Sequence, residues 1–160
     1  MSNLNDVPLR IGHSVAMEKL LEKTILNVKL LEGVRVLVLE DEFLIAMDVE
    51  QLCRDYGAAD VFISRSLDEL GPDPLETIPF DAAVVDMRLG DISTLDFARR
   101  LYESNVPFVF ATGYGNPDEF ATSFPGVEVV GKPYLGTDLI GALAAAVARR
   151  NPDVQQIQVR

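Results

Sequence analysis

Cysteine is almost absent from this chain, which has one cysteine, Cys53, among its 160 residues. No internal disulfide is therefore possible, and this is compatible with a reducing cytosol. The first residues contain no basic region followed by an apolar core, so we expect no secretory signal and a cytoplasmic location. The longest apolar run, residues 139–148, falls well short of the roughly 18–20 residues that a membrane span needs.

Basic residues are also scarce: Lys and Arg number 14 against 25 Asp and Glu, and the formal net charge is -11. A nucleic-acid-binding protein needs a basic surface to neutralise phosphates, and this chain has the opposite balance. A polybasic patch for a membrane surface is missing as well. We therefore expect neither nucleic acid nor a membrane as a partner, whereas metal ions and basic protein surfaces would suit the acidity.

Apolar residues make up 48% of the chain, which is ample for one packed core, and the length fits one domain with an appendage. Residues 1–32 are predicted to form a leader and an amphipathic helix. Residues 33–152 are predicted to form the domain, and residues 153–160 a polar tail.

The N-terminal helix is predicted from Ser14, a residue type that caps helices, to the turn before Gly33. Its apolar stripe consists of Met17, Leu21, Thr24, Val28 and Leu31. The stripe has to be buried, either on its own domain or against a second copy of the chain. A homodimer is the hypothesis that we favour.

Strands and helices alternate through the rest of the chain. The five predicted strands are residues 34–39, 60–63, 82–85, 106–111 and 127–130, and the helices between and after them are 43–56, 66–70, 94–103, 118–124 and 137–150. Gly71, Pro72 and Pro74 are expected to break the second helix. Continuous apolar strands separated by helices predict an α/β domain with a doubly wound, five-stranded parallel sheet.

Polar residues follow four of these strands. Glu40 and Asp41 come after the first strand, Asp86 after the third, Thr112 after the fourth and Lys132 after the fifth. Ligands of open parallel sheets bind outside the carboxyl ends of the strands, so we expect these side chains to meet at one edge.

The chemistry of this set points to phosphoryl transfer. Clustered carboxylates repel one another, and hard oxygen ligands suit Mg²⁺, which would remove the repulsion. Asp86 could then attack phosphorus as a carboxylate nucleophile, while Lys132 and Thr112 stabilise the phosphoryl oxygens. Each residue alone has an ordinary structural explanation, such as a helix cap, a turn or a solvated lysine. The ordered combination is what favours a site.

Four segments of the sequence are similar to the receiver domain of bacterial two-component response regulators: residues 36–42, 83–89, 110–113 and 131–134. The resemblance covers roughly residues 33–150. In addition, residues 107–115 (PFVFATGYG) resemble the signature of the single-domain FATGUY subgroup.

The resemblance implies a flavodoxin-like fold with strand order 2-1-3-4-5 and a cis peptide between Lys132 and Pro133. It implies that Asp86 accepts a phosphoryl group from a phosphohistidine of a sensor histidine kinase or a histidine phosphotransfer protein. Thr112 and Lys132 would contact that group. The output would pass to a downstream protein target, because the receiver portion leaves no room for an output domain.

The same resemblance implies a Mg²⁺ ion held by Glu40, Asp41, Asp86 and the backbone carbonyl of Arg88. Any enzymatic activity would be limited to self-phosphorylation and autodephosphorylation.

Three departures from the receiver pattern stand out. Residues 89–91 (Leu-Gly-Asp) replace the usual Met-Pro type of loop after the acceptor, and this loop is expected to be looser. Val129 occupies the position of the usual aromatic switch residue, so we hypothesise that Tyr114 takes part instead. Glu40 replaces the more usual aspartate and should still bind metal, directly or through water.

Two other functions compete with this interpretation. A receiver-like adaptor that works without phosphorylation would keep the fold and lose the switch, which the valine at position 129 favours. An acidic-site, Mg²⁺-dependent phosphatase or nuclease is disfavoured, because neither expected Asp-x-Asp motif is present: residues 40–42 are Glu-Asp-Glu, and position 88 is arginine.

Overall fold

A computed structural model of the protein describes residues 15–26, 29–113 and 117–150. The predicted leader, the polar tail, Val28 of the apolar stripe and Tyr114 lie outside these ranges, so the predictions made for them stay predictions. None of the helices in the described ranges is long and apolar enough to cross a membrane.

The described elements follow the predicted order, with an additional short helix, Pro74–Thr77, and two additional two-residue strands, Arg88–Leu89 and Ile92–Ser93. In chain order they are α1 Val15–Leu26, β1 Arg35–Leu39, α2 Phe43–Asp55, β2 Asp60–Ser64, α3 Leu67–Leu70, α4 Pro74–Thr77, β3 Ala82–Val85, β4 Arg88–Leu89, β5 Ile92–Ser93, α5 Leu95–Glu103, β6 Phe108–Thr112, α6 Pro117–Ser123, β7 Val129–Gly131 and α7 Gly136–Arg150.

Five of the strands form one parallel sheet in the order β2-β1-β3-β6-β7. This confirms the predicted doubly wound sheet and, counted by sheet strand, the order 2-1-3-4-5. The register aligns Leu39 of β1 with both Ser64 of β2 and Val85 of β3, and Val85 with Phe110 of β6. The carboxyl ends of these strands therefore end at one edge of the sheet.

The sheet is buried on both faces, as its apolar strands predict. Along β1, Val36 and Val38 pack in the core beneath α2 and α7, whereas Leu37 and Leu39 pack in the opposite core, which includes residues of α5. The long apolar surface of α7 covers its own domain, since its central residues Leu139, Ile140 and Leu143 are fully buried. Cys53 is also fully buried in the first core, and burial raises the pKa of its thiol to about 12.

The prediction for the N-terminal helix is wrong at its end. Leu31 lies in a turn after the helix, its main-chain N–H donates to the Tyr56 carbonyl at 2.9 Å, and its side chain is fully buried in the domain core. It therefore belongs to the domain and not to the stripe of α1. Met17, another residue of the predicted stripe, is 47% exposed.

Pro74, which is expected with Gly71 and Pro72 to break the second helix, lies after that break and begins a further helix. It occupies the first turn of α4, where a proline ring fits the helical backbone and no main-chain N–H is required. The expected break falls at Gly71, which follows α3 with a φ of 76°.

An ion pair joins the starts of β1 and β3. Arg35 donates to the carboxylate of Asp81 from its Nε, its NH2 group and its main-chain N–H, at 3.0, 2.9 and 2.9 Å. The side-chain hydrogen bond from Arg35 is the main reason that the pKa of Asp81 lies below its ordinary value.

We expect Asp81→Asn to lower the free energy of unfolding at neutral pH by about 1 kcal/mol, since both side chains are partly exposed and solvent screens the pair. A lowered pKa means that the Asp81 carboxylate stabilises the fold above its unfolded pKa of about 3.9 and stops doing so as the pH falls through the folded value. The difference in the free energy of unfolding between wild type and variant, measured by urea unfolding, should therefore shrink as the solution is made acidic.

Asp55→Asn is the control for this prediction, because that exposed carboxylate accepts its hydrogen bond from Gln51 in the same helix. It should cost less than about 0.5 kcal/mol. A gap between wild type and Asp81→Asn that stays constant with pH would contradict the assignment.

Candidate functional site

Three carboxylates meet at the carboxyl edge of the sheet. Glu40 and Asp41 follow β1, and Asp86 follows β3, the strand paired beside it. One oxygen from each residue lies within 4.8 Å of the other two. Glu40 and Asp86 are only 4% and 5% exposed, so two of the three charges are largely removed from water.

Lys132 lies between the two buried carboxylates. Its Nζ donates to Oε2 of Glu40 and, at 2.8 Å, to Oδ2 of Asp86. The lysine is placed by β7 and by its main-chain N–H, which donates to the Thr112 carbonyl at 2.8 Å. The peptide bond from Lys132 to Pro133 is cis, as the resemblance implies.

Burial and the ammonium oppose each other in setting these charges. Burial raises the pKa of the Glu40 carboxyl, and the hydrogen bonds from Lys132 and from the main chain of Glu42 offset only part of that rise. Burial alone would lower the pKa of the Lys132 ammonium, but the hydrogen bonds to Asp86 and Glu40 outweigh it, so that pKa is raised. The lysine therefore stays charged.

Asp86 is held in place through its main chain as well as its carboxylate. Its N–H donates to the Leu39 carbonyl at 3.0 Å, and its own carbonyl accepts a hydrogen bond from the Thr94 hydroxyl. Its Oδ1 accepts the Arg88 main-chain N–H at 3.2 Å. Both carboxylate oxygens therefore have a defined direction before any ligand is bound.

The loop after Asp86 is not loose, which corrects the prediction made for residues 89–91. Strands β4 and β5 pair as an antiparallel hairpin with Gly90 and Asp91 at its turn. Gly90 has a φ of 62°, and glycine is the preferred residue where a two-residue hairpin turn needs a positive φ. Its N–H donates to Oδ2 of Asp41 at 2.9 Å, which ties the hairpin to the site.

Thr112, Arg88 and Val129 are the remaining residues named in the predictions. Thr112 is 3% exposed, ends β6, and lies beside β7 at the same edge as Lys132. Arg88 lies at the site through its main-chain N–H, while its carbonyl as a metal ligand stays a prediction. Val129 is half-buried at the start of β7 and packs against the second core.

The donor set fits a divalent cation. Three carboxylates and one ammonium leave a formal charge of two negative units at the site, and carboxylate oxygens with room for water suit Mg²⁺. Each carboxylate oxygen that accepts a hydrogen bond keeps a second lone pair. A cavity of about 760 Å³ opens beside these groups, and its lining includes Asp41, Asp86 and Lys132.

Several solved structures with a similar fold are response regulator receiver domains. A receiver protein from Sinorhizobium medicae WSM419 is 24% identical and superposes with a TM-score of 0.62 over 76% of this chain and 99% of its own. A receiver domain protein from Clostridium thermocellum is 24% identical, with a TM-score of 0.63 over 74% and 98%. A CheY-like receiver domain protein from Methanospirillum hungatei JF-1 is 19% identical, with a TM-score of 0.66 over 76% and 99%.

This chain has the receiver-domain fold. No protein-family model matches the sequence, and no curated protein does either. In this fold the ends of β1, β3, β6 and β7 lie at one edge of the sheet, where the acidic residues, Thr112 and Lys132 are predicted to meet.

Sequence reasoning missed two residues that contact the site. Thr94, fully buried, donates from its hydroxyl to the Asp86 carbonyl. Arg65 follows β2 and donates to the Asp41 carbonyl. The rule that ligands lie beyond the carboxyl ends of strands applies to β2 as well, and it would have drawn attention to Arg65.

We expect Thr94→Val to lower the free energy of unfolding by about 1–3 kcal/mol, because the isosteric change leaves a buried carbonyl of Asp86 without its hydroxyl donor. Thr94→Ser keeps a hydroxyl and should recover part of the loss. Denaturant unfolding of the three proteins measures the difference.

Thr77→Val provides a matched control, since the Thr77 hydroxyl also donates to a main-chain carbonyl, that of Asp73 at 2.9 Å, but is exposed. Water replaces the lost hydrogen bond there, and the cost should stay below about 0.5 kcal/mol. Equal losses in both valine variants would show that the buried contact at Asp86 adds no stability of its own.

Proposed function

We propose that this protein is a response regulator receiver domain that accepts a phosphoryl group on Asp86. The observation that carries the proposal is the position of Lys132, whose ammonium lies 2.8 Å from Oδ2 of Asp86 in the lining of a cavity. A carboxylate nucleophile and a fixed cation beside it are the two protein groups that phosphoryl transfer most needs.

The proposed reaction transfers the phosphoryl group from a phosphohistidine of a kinase or phosphotransfer protein. An oxygen of Asp86 forms a bond to phosphorus, the bond from phosphorus to the imidazole nitrogen breaks, and the bonding electrons leave with the imidazole. Lys132 can turn its ammonium from the free carboxylate to an oxygen of the incoming group. The Thr112 hydroxyl is proposed to donate to a second oxygen.

A divalent cation, proposed to be Mg²⁺, would neutralise charge on the transferring phosphoryl group when bound. Glu40, Asp41 and Asp86 are the side chains that would hold it, with the Arg88 carbonyl as a fourth oxygen donor. The support is the closeness of the three carboxylates and their net negative charge after Lys132 is counted.

The FATGUY-type signature at residues 107–115 favours the single-domain subgroup, whose members would signal through protein contacts. A sensor histidine kinase or a histidine phosphotransfer protein is the proposed donor, and a protein target the proposed recipient. The half-buried Val129 offers no aromatic ring for a switch, so Tyr114 stays the hypothesis for that role.

Intact mass spectrometry tests the acceptor directly. The protein is incubated with Mg²⁺ and either acetyl phosphate or phosphoramidate, which presents a phosphorus–nitrogen bond. We expect one phosphoryl group on the wild type, none on Asp86→Asn and none when Mg²⁺ is removed with a chelator. Asp91→Asn, a change of the same type at an exposed residue of the hairpin turn, should be labelled as the wild type is.

Labelling of Asp86→Asn to the same extent would move the acceptor to another residue. A wild type that binds Mg²⁺ but takes a phosphoryl group from neither donor would favour the adaptor that works without phosphorylation.

A further inference from the structure

Arg65, which follows the neighbouring strand β2, forms two hydrogen bonds with the main chain of Asp41. Its Nε and NH2 groups both donate to the Asp41 carbonyl, at 3.2 and 3.0 Å. The guanidinium carbon also lies 6.0 Å from the centre of the Phe43 ring, at the limit of a cation–π contact. One side chain therefore contacts the loop between β1 and α2 on both sides of Glu42.

Besides Arg65, two main-chain donors hold this loop: the Glu42 N–H donates to Oε1 of Glu40 at 3.1 Å, and the Glu40 N–H donates to the Ser64 carbonyl at 3.1 Å. Helix α2 begins at Phe43, and its N-cap residue, Glu42, makes no side-chain capping hydrogen bond. The Asp41 carboxylate is held at Oδ2 by the Gly90 N–H, and no described residue donates to its Oδ1. Arg65 thus fixes the main chain of Asp41, and the hairpin fixes one oxygen of its side chain.

The main chain of Arg65 is itself held in place. It follows Ser64, which pairs with Leu39 at the end of β1. Its main-chain N–H donates to Oε2 of Glu69 at 2.7 Å, and the Glu69 N–H donates to the hydroxyl of Ser66, the N-cap of α3. The side chain that carries the guanidinium is therefore attached to a main chain of fixed position.

We infer that Arg65 is a positioning residue for the metal site, which acts by holding Asp41 where its carboxylate can join Glu40 and Asp86. The inference rests on the proposed function, because it takes Asp41 to be a metal ligand. Residues that hydrogen-bond to metal ligands commonly set metal affinity by orienting those ligands. Two donors from one guanidinium restrict the direction of a carbonyl more than a single donor does.

The sign of the effect separates positioning from charge. Arg65 brings a positive charge to an acidic site, so its long-range electrostatic effect opposes the binding of a cation. Removing that charge would strengthen Mg²⁺ binding if electrostatics were the only contribution. Removing the two hydrogen bonds to the Asp41 carbonyl would weaken Mg²⁺ binding if Arg65 positions Asp41.

The experiment measures the Mg²⁺ dissociation constant of the full chain by calorimetric titration, without any phosphodonor. Arg65→Met, which keeps an unbranched apolar stem and removes charge and donors, should weaken binding about tenfold. Arg65→Lys keeps the charge with a single ammonium in place of the fork, and should weaken binding by a smaller factor. Arg100→Met is the control, since that exposed arginine also donates to a carbonyl, that of Pro72, and should leave the constant unchanged.

Amide hydrogen exchange of residues 40–43 in the metal-free protein gives a second readout. Exchange there should rise in Arg65→Met while the global free energy of unfolding changes little, as expected for an exposed residue.

The positioning role would be overturned if Arg65→Met had an unchanged or lower Mg²⁺ dissociation constant and unchanged amide hydrogen exchange at residues 40–43. The proposed function would still stand. Absence of Mg²⁺ binding by the wild type would overturn both. Should the methionine variant fail to fold, the lysine variant decides, and wild-type affinity in it would count against the inference.

Discussion

The site depends on one ammonium placed between two buried carboxylates. Moving Glu40 and Asp86 out of water costs free energy, and their mutual repulsion adds to it. Lys132 offsets both costs because its Nζ donates to each of them. Such a network is weak evidence for extra stability, since a well-packed apolar core would do as well. Its presence at the sheet edge is better explained by what the charges do there.

The geometry of that network comes from strand register. Asp86 follows β3 and Glu40 follows β1, and the two strands pair side by side with Leu39 opposite Val85. Lys132 comes from β7, two strands away from β3, and its long side chain reaches across the end of β6. A shift of one residue in any of these registers would turn the last side chain to the other face of the sheet. β1 is apolar on both faces, so the packing of its valines in one core and its leucines in the other holds the register and thereby the site.

Most of the fold and most of the site were predictable from the sequence. Five apolar runs separated by helices define a parallel sheet, and its carboxyl edge then collects Glu40, Asp41, Asp86 and Lys132 without further information. What escaped prediction were contacts made by short or isolated features. Two-residue strands such as β4 and β5 have no periodicity to detect, and only the Gly90 turn signals the hairpin. Leu31 fitted the helical spacing of the stripe, but spacing cannot show that a residue belongs to a different core.

The hairpin connects Asp86 to the surface over a short distance. The Arg88 N–H donates to Oδ1 of Asp86. A change of charge or bonding at this oxygen would therefore directly alter a hydrogen bond at the base of the hairpin. Leu89 anchors the hairpin in the core, while Ile92 on its second strand is 58% exposed. The turn is tied through Gly90 to Asp41, the same residue that Arg65 holds from the other side. A metal ion at the proposed site could bind Oδ1 of Asp41 while Oδ2 keeps the hydrogen bond from the Gly90 N–H. The hairpin and the proposed metal site would therefore share the Asp41 carboxylate, without the aromatic side chain that position 129 lacks.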